Sequence, residues 1–275
     1  MRRALVLFVM VSAAAIARGN MVATNVANPA EQQDLQAAEA AVAVVTNEKA
    51  QGMDIGNARD RLDRMFEGLE AKYPRSAEVR DNYGHFLALT LRNPEALAKY
   101  REAEKLDGNN PEVCADLGIW LTCTDGNTRL GTDYMERAVA LAPGNAYFHY
   151  YLGTSLYLFR HDLTTPQRPE TAVVDQALSE LRSASDIEPL DPQYARDYAD
   201  TFYSIPVPRW PEALKAWQHY YEITPDKDFA AINLARVSLQ MKDYAGSRTY
   251  LALVNGSAFL PLKQKLLDRA SAETR

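Results

Sequence analysis

The chain has 275 residues, 47% hydrophobic and 24% charged, a balance that excludes collagen, coiled coil and global disorder. A formal net charge of −6 excludes the broad positive surface that nonspecific nucleic-acid binding requires, so no nucleic-acid partner is expected. With Cys114 and Cys123 as its two cysteines, the chain is not built on a disulfide framework.

The N-terminus differs in kind from the rest. Met1-Arg2-Arg3 supplies positive charge, residues 4–17 are mostly apolar, and Ala15-Ile16-Ala17 is a small-x-small cleavage pattern. These are the marks of a secretory signal peptide over residues 1–17, and they predict a periplasmic or secreted protein. Cleavage after Ala17 removes Arg2 and Arg3 and takes the formal net charge from −6 to −8, and direct membrane insertion of the mature chain is then not expected. The alternative is an inner-membrane anchor through residues 4–17, although that run is short of the ~20 residues that span a bilayer. Residues 18–30 have no helical period and read as a flexible tether.

Residues 31–49 place Leu35, Ala38, Val42 and Val45 on one stripe, and the run from Gln51 to Gly56 breaks the helix before Asn57 caps the next. The following stretch, residues 77–110, sets the pattern. Val79, Tyr83, Phe86, Leu87 and Leu91 share one face, then Leu97, Tyr100, Ala103 and Leu106 share another. Asn93-Pro94 separates the two helices, and Asp107-Gly108-Asn109-Asn110-Pro111 stops the pair. Gly84, Ala96 and Ala103 mark where the two backbones approach closely.

The second-helix frame is a packing residue, another 7 later and a stop 5 beyond that: Leu62/Leu69/Pro74, Ala96/Ala103/Gly108, Gly131/Ala138/Pro143, Ala177/Ala184/Pro189, Ala213/Tyr220/Pro225 and Ser247/Val254/Phe259. The step from Gly118 to Gly131 is one residue longer than that from Gly84 to Ala96, and the turn Thr124-Asp125-Gly126-Asn127 is expected to absorb it. Between Gly153 and Ala177 about twelve residues are inserted; this polar stretch with two prolines, around Arg160 to Pro169, is expected to project as a loop. In the next unit Pro211 starts the second helix, with Trp217 and Tyr220 facing inward. A helix over residues 260–270, with Leu262, Leu266 and Leu267 on one face, is expected to cap the end.

Gly118 lies 34 residues after Gly84, and helical hairpins recurring at that period resemble the tetratricopeptide-repeat family. The resemblance covers residues 57–256 well and residues 31–56 loosely. It implies an all-α fold, an α-α superhelix (solenoid) of about six hairpins over residues 31–76, 77–110, 111–145, 146–190, 191–226 and 227–256.

Motifs for chemistry are missing. His85, His149, His161 and His219 lack zinc-protease spacing, and the phosphate-loop, dinucleotide and Gly-x-Ser-x-Gly patterns are absent. No catalytic residue, cofactor or metal is therefore expected; an enzyme using His161 or a cysteine is the reading with least behind it. Cys114 and Cys123 are nine residues apart on one expected helix, about 13.5 Å along its axis and beyond disulfide reach, so buried thiols are expected.

The resemblance implies instead a concave groove lined by first helices that binds a protein or peptide partner. Its columns here contain Asn82 and His85, Asp116, the cluster Tyr147, Tyr150, Tyr151 and Tyr157, then Arg196 and Asp197, then Asn233 and Arg236. Asn82 and Asn233 occupy the column where the family often hydrogen-bonds the main chain of an extended peptide, and the tyrosines suit either a contact surface or the seam between repeats. The family's clamp for a C-terminal carboxylate is disfavoured, because Asp81, Ala115 and Tyr150 stand where it needs positive charge. The expected function is a non-catalytic exported adaptor or assembly factor of the cell envelope, with a membrane-anchored scaffold as the alternative.

Overall fold

The structure is a computed structural model that describes residues 28–272. The expected leader, residues 1–17, and the tether up to residue 27 lie outside the described residues. Two compact units, Met1–Pro143 and Gly144–Arg275, divide the chain.

The first unit contains α1 (Pro29–Ala50), α2 (Gly56–Lys72), α3 (Ala77–Leu89), α4 (Asn93–Leu106), α5 (Pro111–Trp120) and α6 (Thr128–Leu141), which pair in order as three hairpins. Asn28 caps α1 by accepting from Ala30 N at 3.1 Å, and the stripe Leu35, Ala38, Val42 and Val45 is buried as its spacing predicts. The start of α2 differs from expectation. Asp54 accepts from Gly56 N at 2.9 Å, so the helix begins before Asn57, which falls within its first turn instead of capping it.

Leu91 also departs from its expected place on the α3 face, and is 68% exposed. It holds a left-handed backbone (φ 64°), with Leu91 N donating to Ala88 O at 3.0 Å and Arg92 N to Leu87 O at 2.9 Å. This is a Schellman closure with leucine where glycine is usual. Lys242 (φ 60°) closes a later helix by the same pair of bonds, to Leu239 O and from Asp243 N to Ser238 O. Leu106, 42% exposed, likewise sits outside the core.

The extra residue between Gly118 and Gly131 is absorbed within the helix and not in a simple loop. After α5 the backbone makes a π turn over Leu121–Asp125, and Gly126 (φ 76°) ends it. The turn leaves Gly118 against Gly131: a Cβ on Gly118 would stand 2.7 Å from Gly131 O, so only glycine permits this approach. The core of the unit runs from Leu35 to Leu121 and includes Phe66 stacked on Tyr83 and Phe86 at 5.0 and 5.7 Å.

The second unit contains α7 (Ala146–Leu158), α8 (Arg160–Leu163), α9 (Glu170–Ile187), α10 (Pro192–Thr201), α11 (Trp210–Ile223), α12 (Lys227–Gln240), α13 (Tyr244–Ala252) and α14 (Leu260–Ala272). α7 pairs with α9, α10 with α11, and α12 with α13. A Cβ on Gly153 would lie 2.9 Å from Leu181 N and 3.0 Å from Ala177 O, so α7 and α9 touch backbone to backbone despite the insertion.

The insertion does not simply project. It forms the short α8, whose Leu163 is 2% exposed, and a tight turn closed by Thr165 N to Arg168 O at 2.9 Å and Arg168 N to Thr165 O at 3.1 Å. Arg160 Nε on Glu170 Oε1 at 2.9 Å ties its ends together. Burial of an apolar side chain draws this polar segment back onto the unit.

Trp217 and Tyr220 are buried, as expected. In α14 Leu266 and Ala270 join a cluster with Ala231, Ile232, Leu251 and Val254, while Leu262 stays partly exposed. Among the described residues the fold is thus all-α, with three hairpins in each unit and a terminal covering helix on the second.

Candidate functional site

In the second unit, α7, α10 and α12 are the first helices of successive hairpins, and three features meet along them. Between α7 and α10, Tyr150 donates its hydroxyl to Asp197 Oδ2 at 2.6 Å and receives Gln193 Nε2 at 3.1 Å. The Tyr150 and Tyr194 rings pack 4.9 Å apart. Asp191 caps α10 by accepting from Gln193 N and Tyr194 N, which fixes the register that brings Asp197 under Tyr150.

Beside this bond opens a cavity of about 200 Å³ lined by Thr154, Tyr157 and Leu158 of α7, Leu181 of α9, and Asp197, Asp200 and Thr201 of α10. Burial pushes both aspartates above the usual carboxylate range; the Tyr150 hydrogen bond opposes this at Asp197 and the Arg196 charge at Asp200. Tyr150 is pushed up by burial and then by the Asp197 charge.

The third feature spans α10 and α12. Arg196 lies over the Phe229 ring at 4.6 Å and reaches Asp200 at 3.5 Å, while Arg236 lies over the Tyr203 ring at 4.5 Å. Arg236 Nη1 donates to Asn233 Oδ1 at 2.9 Å. Burial raises the Tyr203 phenol, and the Arg236 charge opposes it.

The expected site residues therefore separate into groups. Tyr150, Tyr157, Arg196, Asp197 and Arg236 gather around the cavity and its flank. Tyr147 and Tyr151 do not reach it: they are 3% and 2% exposed and pack on each other at 4.5 Å, filling the interior because α7 is enclosed on most of its circumference. Asn233 is 1% exposed; its amide donates to Phe229 O at 3.0 Å and its carbonyl accepts from Arg236 and Tyr203, so its hydrogen bonds are made within the chain.

In the first unit Asn82 is half-buried and donates to Glu78 O at 3.0 Å within its own helix. His85 and Asp116 are buried, with Nδ1 3.7 Å from Oδ2, because α3 and α5 pack on that face. They line a cavity of only about 20 Å³. Leu181 and Gln193 carry no pattern that marked them. Leu181 enters because the α9 backbone meets Gly153 one turn beyond Ala177. Among the described residues there is no group of three or more His, Cys, Asp or Glu able to hold a metal.

No family model matches the chain, and no curated protein sequence is similar to it. Solved structures are. YrrB, described as a TPR protein with an unusual peptide-binding site, aligns at 18% identity over 76% of this chain and 97% of its own, with TM-score 0.54. The pilF structure of Pseudomonas aeruginosa aligns at 14% identity over 88% of this chain and 99% of its own, with TM-score 0.56.

Proposed function

The chain has the tetratricopeptide-repeat fold, and from that premise we propose that it is a non-catalytic, exported binding protein that holds a peptide segment of a protein partner along α7, α10 and α12. The carrying observation is the cavity walled by Tyr157, Asp197 and Asp200 beside two arginines whose charged ends face aromatic rings at an exposed flank. Aromatic and arginine side chains are the types that dominate protein contacts. The fold of YrrB, which is described with a peptide-binding site, supports the same reading. Export rests on Arg2, Arg3 and the apolar run of residues 4–17, and with peptide binding it supports the reading of an adaptor or assembly factor of the cell envelope. Among the described residues no helix is long and apolar enough to cross a membrane.

A photoreactive phenylalanine analogue at Tyr157 or Arg236, compared in cells with one at Arg182 or Lys215 on second helices, tests this. Discrete adducts from the first pair alone are expected; the same adducts from all four positions, or none, would overturn the binding face. The mass of the mature chain tests export: it lacks residues 1–17 if the leader is removed, and an intact Met1 in the membrane fraction would replace export with anchoring.

A further inference from the structure

We propose that the cavity between α7, α9 and α10 seats one cationic side chain, lysine or arginine, of the bound segment, with its charged end between Asp197 and Asp200. This rests on the peptide-binding reading and specifies what the peptide must carry. The volume, about 200 Å³, falls below the ~300–1,000 Å³ of pockets that take drug-sized ligands and far above the ~10–15 Å³ one water needs, which suits a single side chain.

The lining is divided. Leu158, Leu181 and the Tyr157 ring form an apolar wall for an aliphatic stem, and the two carboxylates stand one turn apart on α10 at the polar end. Arg160 already lies 5.0 Å from the Tyr157 ring centroid, so that ring serves as wall.

Charge decides the sign of the guest. Asp197 has a neutral donor, Tyr150, and Asp200 has Arg196 at 3.5 Å with the Arg236 charge beyond it, so Asp197 is the carboxylate without a cation in direct contact. No cation lines the cavity, since Arg196 and Arg236 are drawn over the rings of Phe229 and Tyr203. An acidic or phosphorylated side chain would have to sit against two carboxylates with no cation lining the cavity. A cation would supply the missing counter-charge in a site where water screens poorly.

The full chain, observed by amide NMR, is titrated with N-acetyl-lysine N-methylamide, its arginine counterpart, and the Nε-acetylated lysine form that lacks the charge. The charged probes are expected to shift the amides of Thr154, Leu158, Asp197 and Asp200 saturably in the millimolar range, and the acetylated probe to leave them in place. Asp197→Asn with Asp200→Asn should weaken binding roughly tenfold or more, the size expected for losing a charge-assisted contact. Thr154→Leu, which narrows the mouth without touching charge, should block it too.

Equal shifts from the acetylated probe, no saturable shift at these amides, or unchanged binding in the Asn variant would each overturn the assignment. Adducts from Tyr157 that persist undiminished in the Asn variant overturn it while leaving the peptide-binding face intact. Probe binding without any adduct keeps the pocket and removes the wider reading.

Discussion

The Tyr150 hydroxyl stands 2.6 Å from Asp197 Oδ2 and bridges the first helices of two successive hairpins, α7 and α10. Removing the phenolic oxygen in Tyr150→Phe leaves a largely buried carboxylate without that donor. A loss of about 1.5–3 kcal/mol is expected, as for a hydrogen bond to a charged group. Denaturant unfolding measures it, and hydrogen exchange should locate the loss at α7 and α10. The Asp197 carboxyl should also titrate higher in this variant, because Tyr150 holds it down.

Asp197 and Asp200 are both raised in the fold, chiefly by burial, and this sets a pH dependence. A carboxyl held above its unfolded value near 3.9 binds its proton more tightly when folded. Its contribution to stability is present below that value and is lost as pH rises through the raised folded value. Asp197→Asn and Asp200→Asn should therefore stabilise the chain at pH 7, and the gain should shrink to nothing as pH falls below about 4. Unfolding midpoints of variant and wild type across that range read it; a gain that grew toward acid would contradict the burial argument.

Leu91 and Lys242 close α3 and α12 in the left-handed region, where a side chain costs about 1–2 kcal/mol. Leu91 is largely exposed, so its substitution loses little packing. Leu91→Gly and Lys242→Gly should each raise stability by up to ~1 kcal/mol, part of the relief being offset by the freer unfolded chain. Gln240→Gly, at the end of the helix that Lys242 follows, should bring no such gain, because Gln240 has an ordinary right-handed backbone with no left-handed strain to relieve.

Gly118 and Gly68 both lie within helices but should respond to alanine in opposite directions. A Cβ at Gly118 would press on Gly131 O at 2.7 Å, whereas one at Gly68 meets nothing within 4 Å. Gly118→Ala is expected to lose about 1–3 kcal/mol from overpacking, and Gly68→Ala to gain about 0.5–1 kcal/mol from helix propensity. Chemical denaturation of the two variants side by side decides this.

Burial pushes the Cys114 thiol up to about 11 and the Cys123 thiol up to about 12. Since the thiolate is the reacting form, both should resist a disulfide reagent at pH 8 in the folded chain and react rapidly in denaturant. Fast labelling of either in the native protein would mean that α5 or its π turn opens readily.

The hairpins were legible because their cause is local. An amphipathic helix shows its buried stripe at three- and four-residue steps, and Pro94, Pro111 and Asn110 mark ends through backbone chemistry that needs no neighbour. The recurring small residues also located backbone contacts correctly, Gly118 on Gly131 and Gly153 on Ala177, since close approach admits little else. One extra residue is countable from the sequence but its form is not, because a π turn and a loop can absorb the same added length.

The site was only partly legible, for a reason that Tyr150, Tyr151 and Asn233 make concrete. All three fall in columns that repeat arithmetic assigns to one face, yet Tyr151 is interior, Asn233 spends its hydrogen bonds on Phe229, Tyr203 and Arg236, and Tyr150 alone reaches the cavity wall through Asp197. Helix period, breaks and repeat spacing are properties of neighbouring residues along one chain, and the sequence by itself determined them. Which carboxylate meets which phenol, which side chains are left lining a cavity, and that Leu163 folds the insertion back were decided only by tertiary packing, because burial and charge pairing depend on residues far apart in sequence whose distances exist only after the hairpins stack.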